Sequence, residues 1–138
     1  MSREANLEAQ EKMGELIVSG QLDRLGEVFA EDVVDHDPAP GQAPGVQGIK
    51  DFWHTFRTAF PDVDLEPQTI VADEENVAVV LSVSGTHRGT FMGVEPSGRR
   101  FSVRGVQVGR FEDGKLAERW GTTDEATLLS QIRGESEV

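Results

Sequence analysis

A chain of 138 residues with a 37% hydrophobic share is one domain's worth of sequence, enough to bury a core and a small pocket. Its net charge of −12 argues against nucleic acid and anionic membrane as partners, since both need a basic face. The absence of cysteine excludes disulfides and thiolate chemistry, and no apolar run approaches the roughly 20 residues of a membrane span.

The chain reads as a single domain over 1–138, without repeats or an internal boundary. The start, Met1-Ser2-Arg3-Glu4-Ala5-Asn6, lacks a basic-then-apolar pattern, so no signal peptide and a cytoplasmic location are expected. Leu7, Met13, Leu16, Ile17 and Val18 predict an amphipathic helix over 3–18, stopped near Ser19-Gly20. A second, short helix is expected over Gln21–Ala30, from Leu22, Leu25, Val28 and Phe29. A brief extended piece, Val33–His36, then enters a loop rich in proline and glycine, either a flexible connection or a lid. The third helix, Gly48–Phe60, ends at Pro61. Its aromatic stripe (Phe52, Trp53, Phe56, Phe60) reads first as core and second as the apolar wall of a pocket.

From Val63 the period becomes strand-like. Asp64–Ala72, Val77–Ser84, Arg100–Phe111 and Lys115–Thr122 predict a four-stranded antiparallel meander. Asp113-Gly114 is its two-residue hairpin, because Asp-Gly favours the positive backbone angles of a type I′ turn. A closing helix begins at Asp124. The expected class is α+β, a curved antiparallel sheet wrapped around three N-terminal helices, with a short C-terminal helix.

Asp124 has two readings: an N-cap ahead of Leu128-Leu129, or a general base facing an enclosed space. Trp120, four residues earlier, would share its face if the strand persists and would desolvate it. His36, between Asp35 and Asp37, reads as a general acid, a ligand-orienting group or a surface histidine paired to Asp37. His87 reads as a loop-shaping or catalytic residue, and His54 as exposed. Arg104 and Gln107 lie on opposite faces of one strand, so one of them points to the pocket or to a dimer partner. The histidine spacing fits no metal site, no phosphate loop follows a strand, and no Gly-x-Ser-x-Gly elbow is present. The acidic balance, with arginine the main cation, suits a salt-rich cytoplasm or an ordinary acidic protein of a GC-rich genome.

Taken in order, Val34-Asp35-His36-Asp37-Pro38, Phe60-Pro61-Asp62, Gly85-Thr86-His87-Arg88-Gly89, Pro96-Ser97-Gly98-Arg99, Arg110-Phe111-Glu112-Asp113-Gly114-Lys115, Glu118-Arg119-Trp120 and Asp124 with Leu129-Ser130-Gln131 form a pattern. Over residues 7 to 134 the chain resembles the SnoaL-like polyketide cyclase family, within the nuclear-transport-factor-two-like superfamily. The resemblance implies a cone of curved sheet and helices around a deep apolar pocket, with dimerisation through the sheet. It also implies an intramolecular aldol closure without metal or cofactor, with Asp124 as the counterpart of the proton-abstracting aspartate and His36 as a pocket residue. Phe52, Phe56, His87, Gln107 and Trp120 are the expected substrate contacts. Gln107 stands where some cyclases carry a histidine; it can donate a hydrogen bond to an enolate but cannot exchange a proton at neutral pH. The expected partners are a small hydrophobic ligand and a second copy of the chain. Two other readings remain: a non-catalytic ligand-binding dimer, and an epoxide-hydrolase-like enzyme built on Arg104 and Asp124. A ketosteroid-isomerase-like site is disfavoured because the chain has no tyrosine.

Overall fold

The computed structural model describes residues 2–135; Met1 and residues 136–138, the ends of the 1–138 domain reading and the first residue of the leader reading, lie outside the described residues. Helix α1 (Arg3–Ser19) starts where the Ser2 hydroxyl accepts the Ala5 N–H at 3.0 Å. It stops at Gly20, whose φ of 78° turns the chain out of the helix. A 3-10 helix (Leu22–Glu27) leads into β1 (Phe29–Asp35), and α2 (Gly45–Ala59) follows the proline-rich loop. Strands β2 (Asp64–Ala72), β3 (Asn76–Thr86), β4 (Arg100–Glu112) and β5 (Lys115–Thr123) form the meander, and α3 (Glu125–Arg133) closes the described chain. The β4–β5 hairpin has the expected turn, with φ of 51° at Asp113 and 79° at Gly114.

The class is α+β, as expected, but the sheet has five strands in the order β1-β5-β4-β3-β2 and is mixed. Strand β1 lies parallel to β5, with Phe29 beside Leu116 and Asp35 beside Arg119. The helix expected over Gln21–Ala30 is therefore corrected: it is a single 3-10 segment that ends at Glu27. Val28 and Phe29 are drawn into the sheet instead, where the Leu116 N–H donates to the Val28 carbonyl at 2.8 Å. Leu25, Val28 and Phe29 are all buried, so the apolar spacing that suggested a helix is satisfied by a turn followed by a strand.

The helices cover one face of the sheet. Met13, Leu16 and Ile17 of α1 pack with Phe29, Val77 and Leu116, while Phe56 of α2 and Phe60 just past its end pack with Val83, Phe101, Val103 and Leu128. Phe56 is the hub of the aromatic stripe, with ring centroids 4.8 Å from Phe60, 5.5 Å from Trp53 and 5.6 Å from Phe91. No helix among the described residues is long and apolar enough to cross a membrane.

Strand β5 carries an irregularity that decides which residues face inward. Phe111 pairs with Leu116, but Arg110 pairs with Glu118, so Ala117 is an extra residue. Such a bulge reverses the side-chain parity beyond it. Leu116 is buried against the core, whereas Glu118 and Trp120 turn to the outer face and Arg119 turns inward.

Candidate active site

Between the helices and the inner face of the sheet lies a cavity of about 410 Å³. Its apolar wall comes from Met13 and Ile17 of α1, Phe52, Trp53 and Phe56 of α2, Val79, Leu81 and Val83 of β3, and Phe91. The stripe on α2 thus serves both expected purposes: Phe56 and Phe60 are core, while Phe52, Trp53 and Phe56 present ring surface to the cavity.

One edge of the cavity is polar. The Arg119 guanidinium donates from Nη1 to Asp35 Oδ1 at 2.6 Å and from Nε to Gln107 Oε1 at 3.1 Å. Gln42 Nε2 donates to Asp35 Oδ2 at 3.0 Å, and the Asp37 N–H donates to Asp35 Oδ1 at 3.0 Å. Accepting Nε–H from Arg119 fixes the orientation of the Gln107 amide, leaving its NH2 directed away from the arginine and 4.0 Å from Met13 Sδ. Arg119 Nη2 has no protein acceptor among the described residues. It folds back over Gly121, in space that a side chain at that position would take. Gln107 and Gly121 are cross-strand partners, so a glycine here is what lets the arginine lie beside the glutamine.

The proline-rich loop is tied to this edge. Gln42 Oε1 accepts from the Ala39 N–H at 3.0 Å, and Asp37 Oδ2 accepts from the Gly121 N–H at 2.8 Å. Asp37, Pro38, Ala39, Pro40 and Gln42 line the cavity, so the loop covers part of it.

Of the expected site residues, Phe52, Phe56 and Gln107 line the cavity. Gln107 faces inward and Arg104 is exposed, as the alternation of β4 requires. Asp124, His36, His87 and Trp120 stand elsewhere. Asp124 is an exposed N-cap of α3, with Oδ1 accepting from the Thr127 N–H at 3.1 Å and Oδ2 from the Thr127 hydroxyl at 2.8 Å. Those bonds, the hydroxyl's first, hold its carboxyl below the ordinary aspartate value, the opposite of a desolvated base. Trp120 does not share its surroundings, because the strand ends at Thr123 and the bulge turns the indole outward.

There the indole stacks on His36, with ring centroids 4.7 Å apart and planes 6° from parallel. His36 pairs with Glu118 (2.6 Å), not with Asp37. Glu118 is held below the usual glutamate range, by Arg110 first and His36 second. His87 is fully buried and shapes a loop: its Nδ1 accepts from the Ser97 N–H at 3.1 Å, which places the ring proton of the neutral form on Nε2. His54 is exposed, as expected. The epoxide-hydrolase arrangement loses its named parts, since Arg104 is on the outer face and Asp124 outside the cavity. Asp35, Arg119, Gln42, Gln10, Thr122, Thr123 and Glu125 are polar cavity residues that sequence reasoning passed over. Among the described residues, no group of three or more histidine, aspartate or glutamate side chains is placed to hold a metal ion.

A family model of SnoaL-like polyketide cyclases matches residues 7–132. The chain belongs to the SnoaL-like polyketide cyclase family. Among solved structures it is similar to IdmH of Streptomyces antibioticus, a candidate polyketide cyclase, at 33% identity over 93% of this chain and 98% of that one, with a TM-score of 0.82. AclR of Streptomyces galilaeus, a candidate hydroxylase, is 28% identical over 99% of this chain and 86% of that one, with a TM-score of 0.86. TsrD of Streptomyces laurentii has the same fold, with a TM-score of 0.87 at 23% identity over 96% of this chain and 97% of that one. No curated protein matches the chain significantly.

Proposed function

We propose that this SnoaL-like chain is a cofactor-independent acid/base enzyme acting on a small hydrophobic carbonyl compound. The observation that carries the reading is the Asp35–Arg119–Gln107 chain of hydrogen bonds, set on one edge of a cavity whose facing wall is aromatic and aliphatic. A planar ketone slides against Phe52, Trp53 and Phe56, and its oxygen meets Arg119 Nη2 and the Gln107 amide. Two preorganised donors, one of them charged, favour the enolate over the ketone in a site of low polarity. Asp35 orients the arginine and lines the cavity beside it, so the proton-accepting role expected of Asp124 passes to Asp35.

Deuterium exchange at the α-carbon of 2-tetralone, followed by proton NMR, tests the reading. Exchange above the buffer rate is expected for the native chain. Arg119→Met is expected to lower it by about a hundredfold, the usual scale for losing one such donor. Tetralone binding without accelerated exchange would instead support the non-catalytic ligand-binding reading, which the engagement of both Asp35 oxygens within the chain favours.

The outer face of the sheet supports a homodimer as part of the same proposal. Trp120, Val108, Ala78 and Val71 are successive register partners across four strands, and Val106 and Val80 form the adjoining row. Trp120 is 40% and Val71 65% exposed in the single chain, a contiguous apolar stripe of the kind that a second copy covers.

A further inference from the structure

The tip of the proline-rich loop is a small closed unit. Pro40 and Gly41 stand at the two centres of a turn that the Gln42 N–H closes on the Ala39 carbonyl at 3.0 Å. Gly41 has a φ of 78°, and proline followed by a glycine of positive φ is the signature of a type II turn. The Gln42 side chain braces the turn from within, its Oε1 accepting from the Ala39 N–H. Ala39–Gln42 is therefore stiff in itself, and Ala39, Pro40 and Gln42 line the cavity with it.

What holds the tip down is slighter. Among the described residues, its one hydrogen bond to the rest of the chain runs from Gln42 Nε2 to Asp35 Oδ2 at 3.0 Å. Behind it α2 supplies a rest, where Gly48 leaves room for the Ala43 carbonyl and the Gln42 stem. The same bond matters to the polar edge. Arg119 Nη1 and the Asp37 N–H both engage Oδ1 of Asp35, so Gln42 is the one group that occupies Oδ2 among the described residues.

We infer that Gln42 is a latch: its bond to Asp35 holds the Ala39–Gln42 tip shut against the cavity and masks the carboxylate oxygen that a proton acceptor needs. Release of the tip opens a way in and bares Oδ2 in one step. The masking of Oδ2 rests on the reading of Asp35 as the proton acceptor, whereas the latching of the tip does not. One hydrogen bond to a charged group favours the shut form by about ten- to a hundredfold. That leaves an open fraction through which a ligand enters.

Stopped-flow fluorescence of 6-propionyl-2-(dimethylamino)naphthalene, an aromatic ketone whose emission shifts when it leaves water, reads entry and exit. The native chain is compared with Gln42→Leu and Gln42→Glu. The glutamate keeps the side-chain shape but sets a carboxylate against Asp35, and it carries the test if the leucine variant fails to fold. Both variants are expected to raise the association rate by about tenfold or more, and the dissociation rate with it, because the tip lifts for both. Exchange of 2-tetralone should rise in Gln42→Leu. Unchanged probe rates in the folded variants overturn the latch, whatever the exchange does. Raised probe rates with lowered exchange overturn the masking of Oδ2 and leave Gln42 as a residue that positions Asp35. Raised probe rates without exchange in any chain, the native one included, uphold the latch and overturn the acid/base reading instead. Failure of every chain to bind the probe overturns both the binding cavity and the lid over it.

Discussion

Asp35 and Arg119 are register neighbours in the parallel seam of the sheet, and their side chains meet at 2.6 Å on its inner face. The Asp35 side chain is 10% and the Arg119 side chain 19% exposed, so water compensates either one poorly if its partner is removed. Arg119→Met strands a largely buried carboxylate and is expected to cost about 2 kcal/mol. That lies below the range for a fully enclosed pair because a fifth of the arginine is wet. Urea denaturation measures the loss. Arg119→Lys should recover part of the stability but not the exchange activity, since lysine cannot bridge Asp35 and Gln107 with one fork.

For Asp124, stability and activity are expected to separate. Its carboxyl is held below the ordinary value in the folded chain, first by the Thr127 hydroxyl and then by the Thr127 N–H. The stabilisation is therefore full above the unfolded-state aspartate pKa and is lost as pH falls through the lower, folded value. Asp124→Ala should lower the melting temperature near neutral pH, and the gap to the native chain should close in acid. Tetralone exchange should be unaffected. Lost exchange with an unaltered melting curve would return the base to Asp124.

Two helical glycines are expected to respond to alanine with opposite signs. Gly14→Ala places a methyl group in open space and should stabilise the chain by up to about 1 kcal/mol. At Gly48 in α2 the same methyl group would run into the Ala43 carbonyl oxygen, where the loop folds tightly onto the helix. Gly48→Ala should destabilise by about 1–3 kcal/mol despite its better helix propensity. Thermal melts of the two variants side by side give the comparison.

The proposed homodimer is tested at the outer stripe. Trp120→Asp places a charge opposite Val108, in the middle of the apolar row. Sedimentation velocity should show the native chain as a dimer and the variant as a folded monomer. A native chain that sediments as a monomer removes the dimer from the proposal.

Much of the fold was legible because periodicity survives translation into structure. The aromatic stripe of α2, the alternation of β4 and the Asp113-Gly114 turn are local signals, and each predicts its own geometry. The polar edge was not legible for an equally physical reason. Arg119 faces inward only because Ala117 is bulged, and a single extra residue in a strand leaves no mark in composition. Without the bulge, Leu116, Glu118 and Trp120 would share the core face; the four-residue spacing of Trp120 and Asp124 that puts the indole beside a base carries no trace of it. Asp35 was hidden differently. Its strand is short, and its pairing with β5 is parallel and distant in sequence, so the extended piece at Val33–His36 gave no hint of its neighbour. Asp124 was visible, but a good cap and a candidate base begin with the same residue type.

The mixed sheet also sets an order of assembly. Strands β2 to β5 follow one another as antiparallel neighbours, joined by tight turns except for the loop between Thr86 and Arg100, whereas β1 must return to a strand that lies more than eighty residues further along the chain. Contacts of that span close slowly, because the entropy of the intervening loop is lost before they form. Asp35 and Arg119 come together only in that late event. In refolding, ligand affinity should therefore lag behind the far-ultraviolet signal of the meander, and recovery of binding should report docking of the N-terminal strand.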